Sequence, residues 1–393
     1  MVRHLAIGEK IPTPRFWPYS KQALQGLARR RVDLKANAIP YRFSDLPRRK
    51  VINAILAEGS VYRKPSRPWA MPTHLQVEPS AHCNLHCALC AVTTGLGRPQ
   101  GHMDLELFKR LLDETGDYVF TLIFFDWGEP FVNPDAFEMI AYAKTKRVKV
   151  IASTNGHIFT RKEKADQLIR SGLDSIIFAI DGVTQETYER YRQGGTLATA
   201  LAGLRMVTER KKALGSKTPL VNFRFIAMAH NEHEIPLVKK LAPSLGADAL
   251  TFKTVNPFLG DTYADREQAE TERGLLYLPK DERYRRFKLD PRTGRPRRRR
   301  RNPCRQLWTT PSIHWDGTIC PCTFDSRERY PLGNLNEQSF REIWQGEAYR
   351  ELRRRFRSDR DRLELCADCT YAYEGGDCSR ESIAEAIFYT PPI

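Results

Sequence analysis

Six apolar runs of strand length, each followed by a helical stretch, constrain this chain more than any other feature. The runs are HLQVEPS (74–80), TLIFFDWGEP (121–130), VKVIASTNG (148–156), SIIFAIDG (175–182), LVNFRFIAM (220–228) and ALTFKTV (249–255). The stretches between and after them, among them LELFKRLLDET, NPDAFEMIAYAKTK, KEKADQLIRSG, QETYERYRQ, LATALAGLRMVTERKKALG and HEIPLVKKLAPSLG, are helical in pattern. Strand, helix, strand at this spacing predicts repeated βαβ units on a parallel sheet. Polar residues able to do chemistry stand at the ends of nearly all the strands: Cys83, Glu129, Asn155 and Asp181. A barrel puts its active site there, so the expected fold is α/β, a partial (β/α)6 TIM-like barrel, rather than a Rossmann sheet.

The rest of the 393 residues divides around that core. Residues 1–70 form a basic, amphipathic N-terminal segment, 71–260 the barrel core, 261–302 a basic irregular linker, and 303–393 a small α+β extension. The net charge of +16 is concentrated: residues 1–70 carry +11 and residues 281–305 carry +9. In PRRKVINAILAEGSVYRK, Val51, Ile52, Ile55 and Leu56 fall on one helical face. With Phe16, Trp17, Tyr19 and Trp69, this segment suits either a helical collar on the open side of the barrel or an interfacial helix on anionic lipid. The PRRRRR run before Cys304 reads as a solvated loop, or as a contact for an anionic substrate or membrane surface. No nucleic-acid module is recognisable, so nucleic acid is not an expected partner. No apolar run approaches the roughly 18–20 residues that span a bilayer, and the N-terminus lacks a signal-peptide core. The expected location is the cytoplasm, with peripheral contact at the inner face of the membrane as an extension of the lipid reading.

In a reducing compartment nine cysteines point to metal or cluster ligands rather than disulfides. Cys83, Cys87 and Cys90 lie within AHCNLHCALC, spaced C-x3-C-x2-C. A four-iron cluster takes four ligands, so three thiolates leave one iron open to a small molecule. A zinc site of three cysteines, with His82 or His86 as the fourth ligand, is the alternative.

The loop resembles the signature of the radical SAM enzymes, in which the open iron of a [4Fe–4S] cluster chelates S-adenosylmethionine (AdoMet). Reductive cleavage then yields a 5′-deoxyadenosyl radical that abstracts hydrogen from a C–H bond. DWGEP (126–130) resembles the family's Gly-Gly-Glu-Pro element, with Trp127 in place of the first glycine. The resemblance implies that Glu129 accepts from the methionine ammonium and that Ser153 and Asn155, in STNG, lie near the ribose or methionine. It places Asp181, in AIDG, in the same pocket, with Ala179 where many relatives have serine. Arg192, in ERYRQGG, is implied to pair with the methionine carboxylate, and Leu89 in the cysteine loop joins the cofactor-binding set.

C-x12-G-x4-C from Cys304 to Cys322, followed by Cys366-x2-Cys369, resembles the SPASM or twitch extension of the same superfamily. That implies one auxiliary [4Fe–4S] cluster on Cys304, Cys322, Cys366 and Cys369, with Cys320 and Cys378 spare. A zinc ribbon is the alternative for Cys366 and Cys369. The implied activity is oxidation or rearrangement of a small anionic, sugar-like or lipid-linked molecule, with an electron donor such as flavodoxin or ferredoxin. Maturation of a ribosomal peptide is the second reading, and a non-enzymatic iron–sulfur or zinc scaffold the third. Tyr188, Tyr191, Arg224 and Lys253 are candidates to meet the substrate by their position on late strands and loops.

Overall fold

The computed structural model describes residues 4–5, 28, 32–256, 275–299, 303–367, 369–376 and 382–391. Phe16, Trp17, Tyr19 and Cys378 lie outside them. All six apolar runs are strands: β4 (His74–Val77), β5 (Thr121–Phe124), β6 (Lys149–Thr154), β7 (Ser175–Ala179), β8 (Leu220–Ala227) and β9 (Ala249–Thr254). They pair in sequence order, each parallel to the next. Helices fill the connections. Leu105–Thr115 starts where the Asp104 carboxylate accepts from the Leu107 N–H, and it buries Leu107, Phe108, Leu111 and Leu112 on one face. That face joins Leu75, Val77, Leu122, Phe124, Val150 and Phe178, which belong to one core between the strands and the outer helices.

Both edges of this six-stranded arc are extended by the C-terminal region. β10 (Ser312–Ile313) adds parallel to β4 and turns back into β11 (Ile319–Cys320), while β12 (Ile383–Phe388) adds antiparallel to β9. The whole sheet has ten strands, ordered β1-β12-β9-β8-β7-β6-β5-β4-β10-β11, with β1 being His4–Leu5. The C-terminal region therefore joins one edge of the arc to the other.

The described part of the N-terminal segment combines a strand hairpin with a helix. β2 (Val32–Ala36) and β3 (Ile39–Phe43) form a hairpin whose two turn residues, Asn37 and Ala38, both have positive φ (53° and 65°). That is the primed turn that matches strand twist. Ile39, Tyr41 and Phe43 enter the end of the barrel where the strands begin, against Phe120, Ile151, Ile177, Leu220 and Ala249. Three such buried side chains contribute about 1.5–3 kcal/mol each. The following helix, α1 (Arg48–Arg63), buries Lys50, Val51, Asn53, Ala57 and Ser60. Ile52 and Leu56, assigned to one helical face with Val51, are exposed while Val51 is buried. The packing face is set by Asn53, whose amide makes two hydrogen bonds with the Met71 backbone, and by Lys50, which donates to the carbonyls of Lys146 and Arg147.

Candidate active site

The three-cysteine loop begins six residues after β4, at the end of the barrel opposite the hairpin. Its backbone is tied across the mouth: His86 N–H donates to Gln193 and Ala88 N–H to Tyr191. Within the loop the Leu85 N–H points at Cys83 Sγ (3.5 Å) and the Cys90 N–H bonds the Cys87 carbonyl (3.0 Å). Leu85, Cys87 and the predicted Leu89 are buried with Tyr191, Met228 and Val255, and Tyr277 and Leu278 pack on the same group. Burial pushes the Cys83 thiol up to about 12 and the Cys90 thiol up to about 11. Such sulfurs become thiolates only when a cation neutralises them, which fits a metal cluster.

Gly128 fixes the next element. Its φ is +84°, and a Cβ there would sit 2.2 Å from the Ser80 carbonyl oxygen and 2.7 Å from that of His82. The glycine requirement thus falls on Gly128 alone, and Trp127 is accommodated in a pocket with Ala81, Ala91 and Leu96. The Glu129 N–H donates to the His82 carbonyl (2.8 Å), joining this element to the cysteine loop.

Glu129 is 3% exposed and accepts from the Thr154 hydroxyl and the Asn155 N–H, both at 2.8 Å. Burial raises its carboxyl to about 7, against the pull of those two hydrogen bonds. The Asn155 amide donates to Asn84 Oδ1 (2.7 Å), inside the cysteine loop. Ser153 is half-buried on β6, one residue before Thr154.

Arg192 and Asp181 form a pair. Arg192 Nε donates to Asp181 Oδ2 at 2.6 Å, and its Nη1 reaches Cys87 Sγ at 3.5 Å. The other Asp181 oxygen accepts from the Ile226 N–H (2.6 Å), and the side chain is wholly buried. Asp181 thus orients Arg192. Of the substrate candidates, Tyr191 lines the mouth and Lys253 is half-buried near the end of β9. Tyr188 is wholly buried. Arg224 turns to the far end of the barrel, where it donates to the side chain and carbonyl of Asn37 and to Thr251. The inward direction was legible from β8, but the hairpin that captures it was not.

The second cysteine group surrounds an apolar pocket. Cys304, Cys322, Cys366 and Cys369 line it with Leu307, Phe324, Leu352, Phe356 and Tyr371. Burial holds the Cys322 and Cys366 thiols well above their ordinary value, and the neighbouring cysteines add to this. Among the described residues no three Cys, His, Asp or Glu side chains close around a single ion. Four cysteine thiols around one apolar pocket suit an iron–sulfur cluster. Cys320 lies outside this lining, buried with its sulfur 3.9 Å from His314 Nδ1.

Sequence reasoning missed the seam between the two cysteine groups. The Asp126 carboxylate, three residues before Glu129, accepts from Gln76, Ser312 and Thr323, and Thr323 adjoins Cys322. Burial raises Asp126 to about 6, opposed by the nearby His314. An acid before Trp127 was visible in the sequence, but its partners, from a distant segment, were not.

Comparison with known proteins follows this geometry. The radical SAM superfamily profile matches residues 77–234, and the profile of an iron–sulfur cluster-binding domain, SPASM, matches residues 304–370. The AdoMet-dependent heme synthase of Methanosarcina barkeri is 25% identical over 342 residues, which is 80% of this chain and 93% of that protein. The antilisterial bacteriocin subtilosin biosynthesis protein AlbA of Bacillus subtilis is 26% identical over 71% of this chain and 61% of its own length. The structure of Streptococcus suis SuiB bound to the precursor peptide SuiA shares the fold, with a TM-score of 0.56, 14% identity and coverage of 81% of this chain and 75% of that one. No helix among the described residues is long and apolar enough to cross a membrane. The chain belongs to the radical SAM superfamily and is an enzyme that uses S-adenosylmethionine and carries a SPASM-type iron–sulfur domain.

Proposed function

We propose that the mouth above Cys83, Cys87 and Cys90 is where this enzyme cleaves AdoMet and where a peptide substrate presents a C–H bond. The carrying observation is convergence: Glu129, Asn155 and Arg192, from three different connections, are each linked to the cysteine loop by hydrogen bonds. Cys83, Cys87 and Cys90 would hold the first cluster, and Cys304, Cys322, Cys366 and Cys369 the auxiliary one. When bound, the first cluster supplies the electron that splits the sulfonium, and the auxiliary cluster offers a second site of one-electron exchange. Glu129 accepts from the methionine ammonium, held in place by Thr154 and Asn155. Arg192 presents its guanidinium to the methionine carboxylate, with Asp181 fixing its plane. Ser153 and Asn155 face the ribose side, and Leu89 and the wall of Tyr191, Met228 and Val255 exclude water.

The peptide reading is favoured over a small anionic molecule by the apolar wall of the mouth. Arg192 is held by Asp181, and Arg224 by Asn37 at the far end of the barrel. One wall, made of Leu85, Leu89, Tyr191, Met228 and Val255, is apolar and aromatic and suits a side chain. The names of two similar proteins, one in bacteriocin biosynthesis and one bound to a precursor peptide, agree with it; the heme synthase does not. The test is deuterium transfer. Extracts of deuterium-labelled cells are split into peptide and small-molecule fractions and turned over with the reconstituted enzyme. Label in 5′-deoxyadenosine from the peptide fraction is expected, and label from the small-molecule fraction alone removes the peptide reading.

We also infer peripheral contact with anionic membrane, on a specific observation. Ile52, Leu56, Tyr62 and Trp69 are exposed at 48%, 39%, 71% and 53% beside Arg48 and Arg63. Co-sedimentation with phosphatidylserine vesicles that survives Ile52→Ser with Trp69→Ser would dismiss it.

A further inference from the structure

The described part of the Arg-rich run, residues 296–299, packs on the C-terminal region. Residues 288–299 form a tight hairpin, closed by the Asp290 N–H to Arg295 carbonyl bond (2.8 Å) and the Leu289–Pro296 bridge. The Asp290 carboxylate caps the turn by accepting from the Arg292 and Thr293 N–H groups. The hairpin lies along residues 372–376. Arg299 N–H donates to Ala372, Lys288 N–H to Glu374, and Glu374 N–H to Arg297. The Arg299 guanidinium donates to the carbonyls of Tyr373 and Gly376, and the Arg298 guanidinium stacks 5.7 Å from the Tyr373 ring.

That strip directly follows the lining of the four-cysteine cavity, to which Cys369 and Tyr371 belong. In the other direction the hairpin runs into Cys304 five residues after Arg299. Both attachments thus lead to cavity ligands. Lys288, Arg292, Arg295, Arg297 and Arg298 are exposed. The hairpin's one acid, Asp290, is engaged in the turn, and Glu374 alongside reaches Arg297 at 3.8 Å.

We infer that this hairpin is the docking surface for an acidic electron-carrier protein of the flavodoxin class. The inference rests on the reading of Cys304, Cys322, Cys366 and Cys369 as a cluster site. Three observations select this partner. The pocket is lined by apolar side chains, and the hairpin is mounted on the strip that continues from that lining. Five exposed cations on twelve residues give the concentrated field that steers encounter with an acidic protein. Such a small surface suits the brief, low-area contacts of redox partners. One electron leaves the reduced flavin at each encounter and enters the enzyme, and no bond is made or broken.

The experiment uses the full-length, cluster-reconstituted enzyme, a recombinant bacterial flavodoxin as the probe, and the variants Arg292→Glu/Arg295→Glu and Arg292→Lys/Arg295→Lys. Neither guanidinium is built into the core, so the variants test charge and not folding. Flavodoxin binding by fluorescence anisotropy should weaken at least about tenfold in the Glu pair and in the wild type at high salt, and survive in the Lys pair. Flavodoxin-driven 5′-deoxyadenosine formation should fall with binding, while dithionite-driven formation stays within about twofold. An equal loss under both reductants would assign the hairpin to substrate and overturn the inference. So would unchanged binding in the Glu pair, or no salt-sensitive binding by the wild type. Absence of product from the wild type with dithionite would strike the underlying functional reading instead, and the binding measurement would still decide the docking surface.

Discussion

Arg192 is suspended between Asp181 and Cys87: its Nε meets Asp181 Oδ2 at 2.6 Å while its Nη1 lies 3.5 Å from the sulfur. A residue thirteen positions after the end of β7 is thereby anchored to the cysteine loop of a different strand. Removing one partner of a buried ion pair leaves the other charge uncompensated, at a cost of roughly 3–5 kcal/mol. Asp181→Asn should lower the melting temperature and weaken AdoMet binding together. Arg192→Lys keeps the charge but cannot reach both partners. It should fold near the wild-type melting temperature and bind AdoMet at least about tenfold more weakly by calorimetry.

Glu129 sets the pH dependence of cofactor binding. Its carboxyl is raised to about 7 by burial, so part of it is protonated at neutral pH and cannot accept from an ammonium. AdoMet affinity should therefore rise about tenfold per unit as pH approaches 7 from below, with one proton released, and level off above it. Glu129→Gln should abolish this slope. A charged hydrogen bond contributes about 1.5–3 kcal/mol, so its loss should weaken binding by about 10- to 150-fold.

The two cysteine groups should separate by metal content. Wild-type protein should reconstitute with about eight irons, and Cys366→Ala or Cys322→Ala should bring this to about four. Cys320→Ala should leave it unchanged, since Cys320 packs beside His314 and outside the cavity. Iron and sulfide assays with Mössbauer spectra check all three.

The barrel plug should matter for stability and not for the cofactor. Asn37→Ala removes the side-chain oxygen that accepts from the Arg224 guanidinium at 3.2 Å. Leaving that buried donor unsatisfied costs about 1–3 kcal/mol, and more for a charged group. The urea midpoint should fall, with AdoMet affinity within about twofold of wild type.

The barrel was legible because each strand is a short apolar run and each helix carries its own period. The cysteine loop and Glu129 were legible because their chemistry is local. What escaped was whatever depends on register or on distant chain. Ser153 was singled out, yet its neighbour Thr154 holds Glu129, because one step along a strand changes the direction of the side chain. Asp181 braces Arg192, a pairing that needs the return from β7 to be folded. Arg224 points into the barrel, but a hairpin some 187 residues earlier claims it. The hairpin went unread for a related reason: Ile39, Tyr41 and Phe43 alternate as a strand, and only the barrel end they fill shows that they are buried.

The most direct measurement is anaerobic. The protein is reconstituted with iron and sulfide, mixed with AdoMet and dithionite, and 5′-deoxyadenosine is quantified against a Cys83→Ala/Cys87→Ala/Cys90→Ala variant. The account predicts product from the wild type and none from the variant. Equal product from both, or none from a wild type that holds its full iron and binds AdoMet, would contradict it.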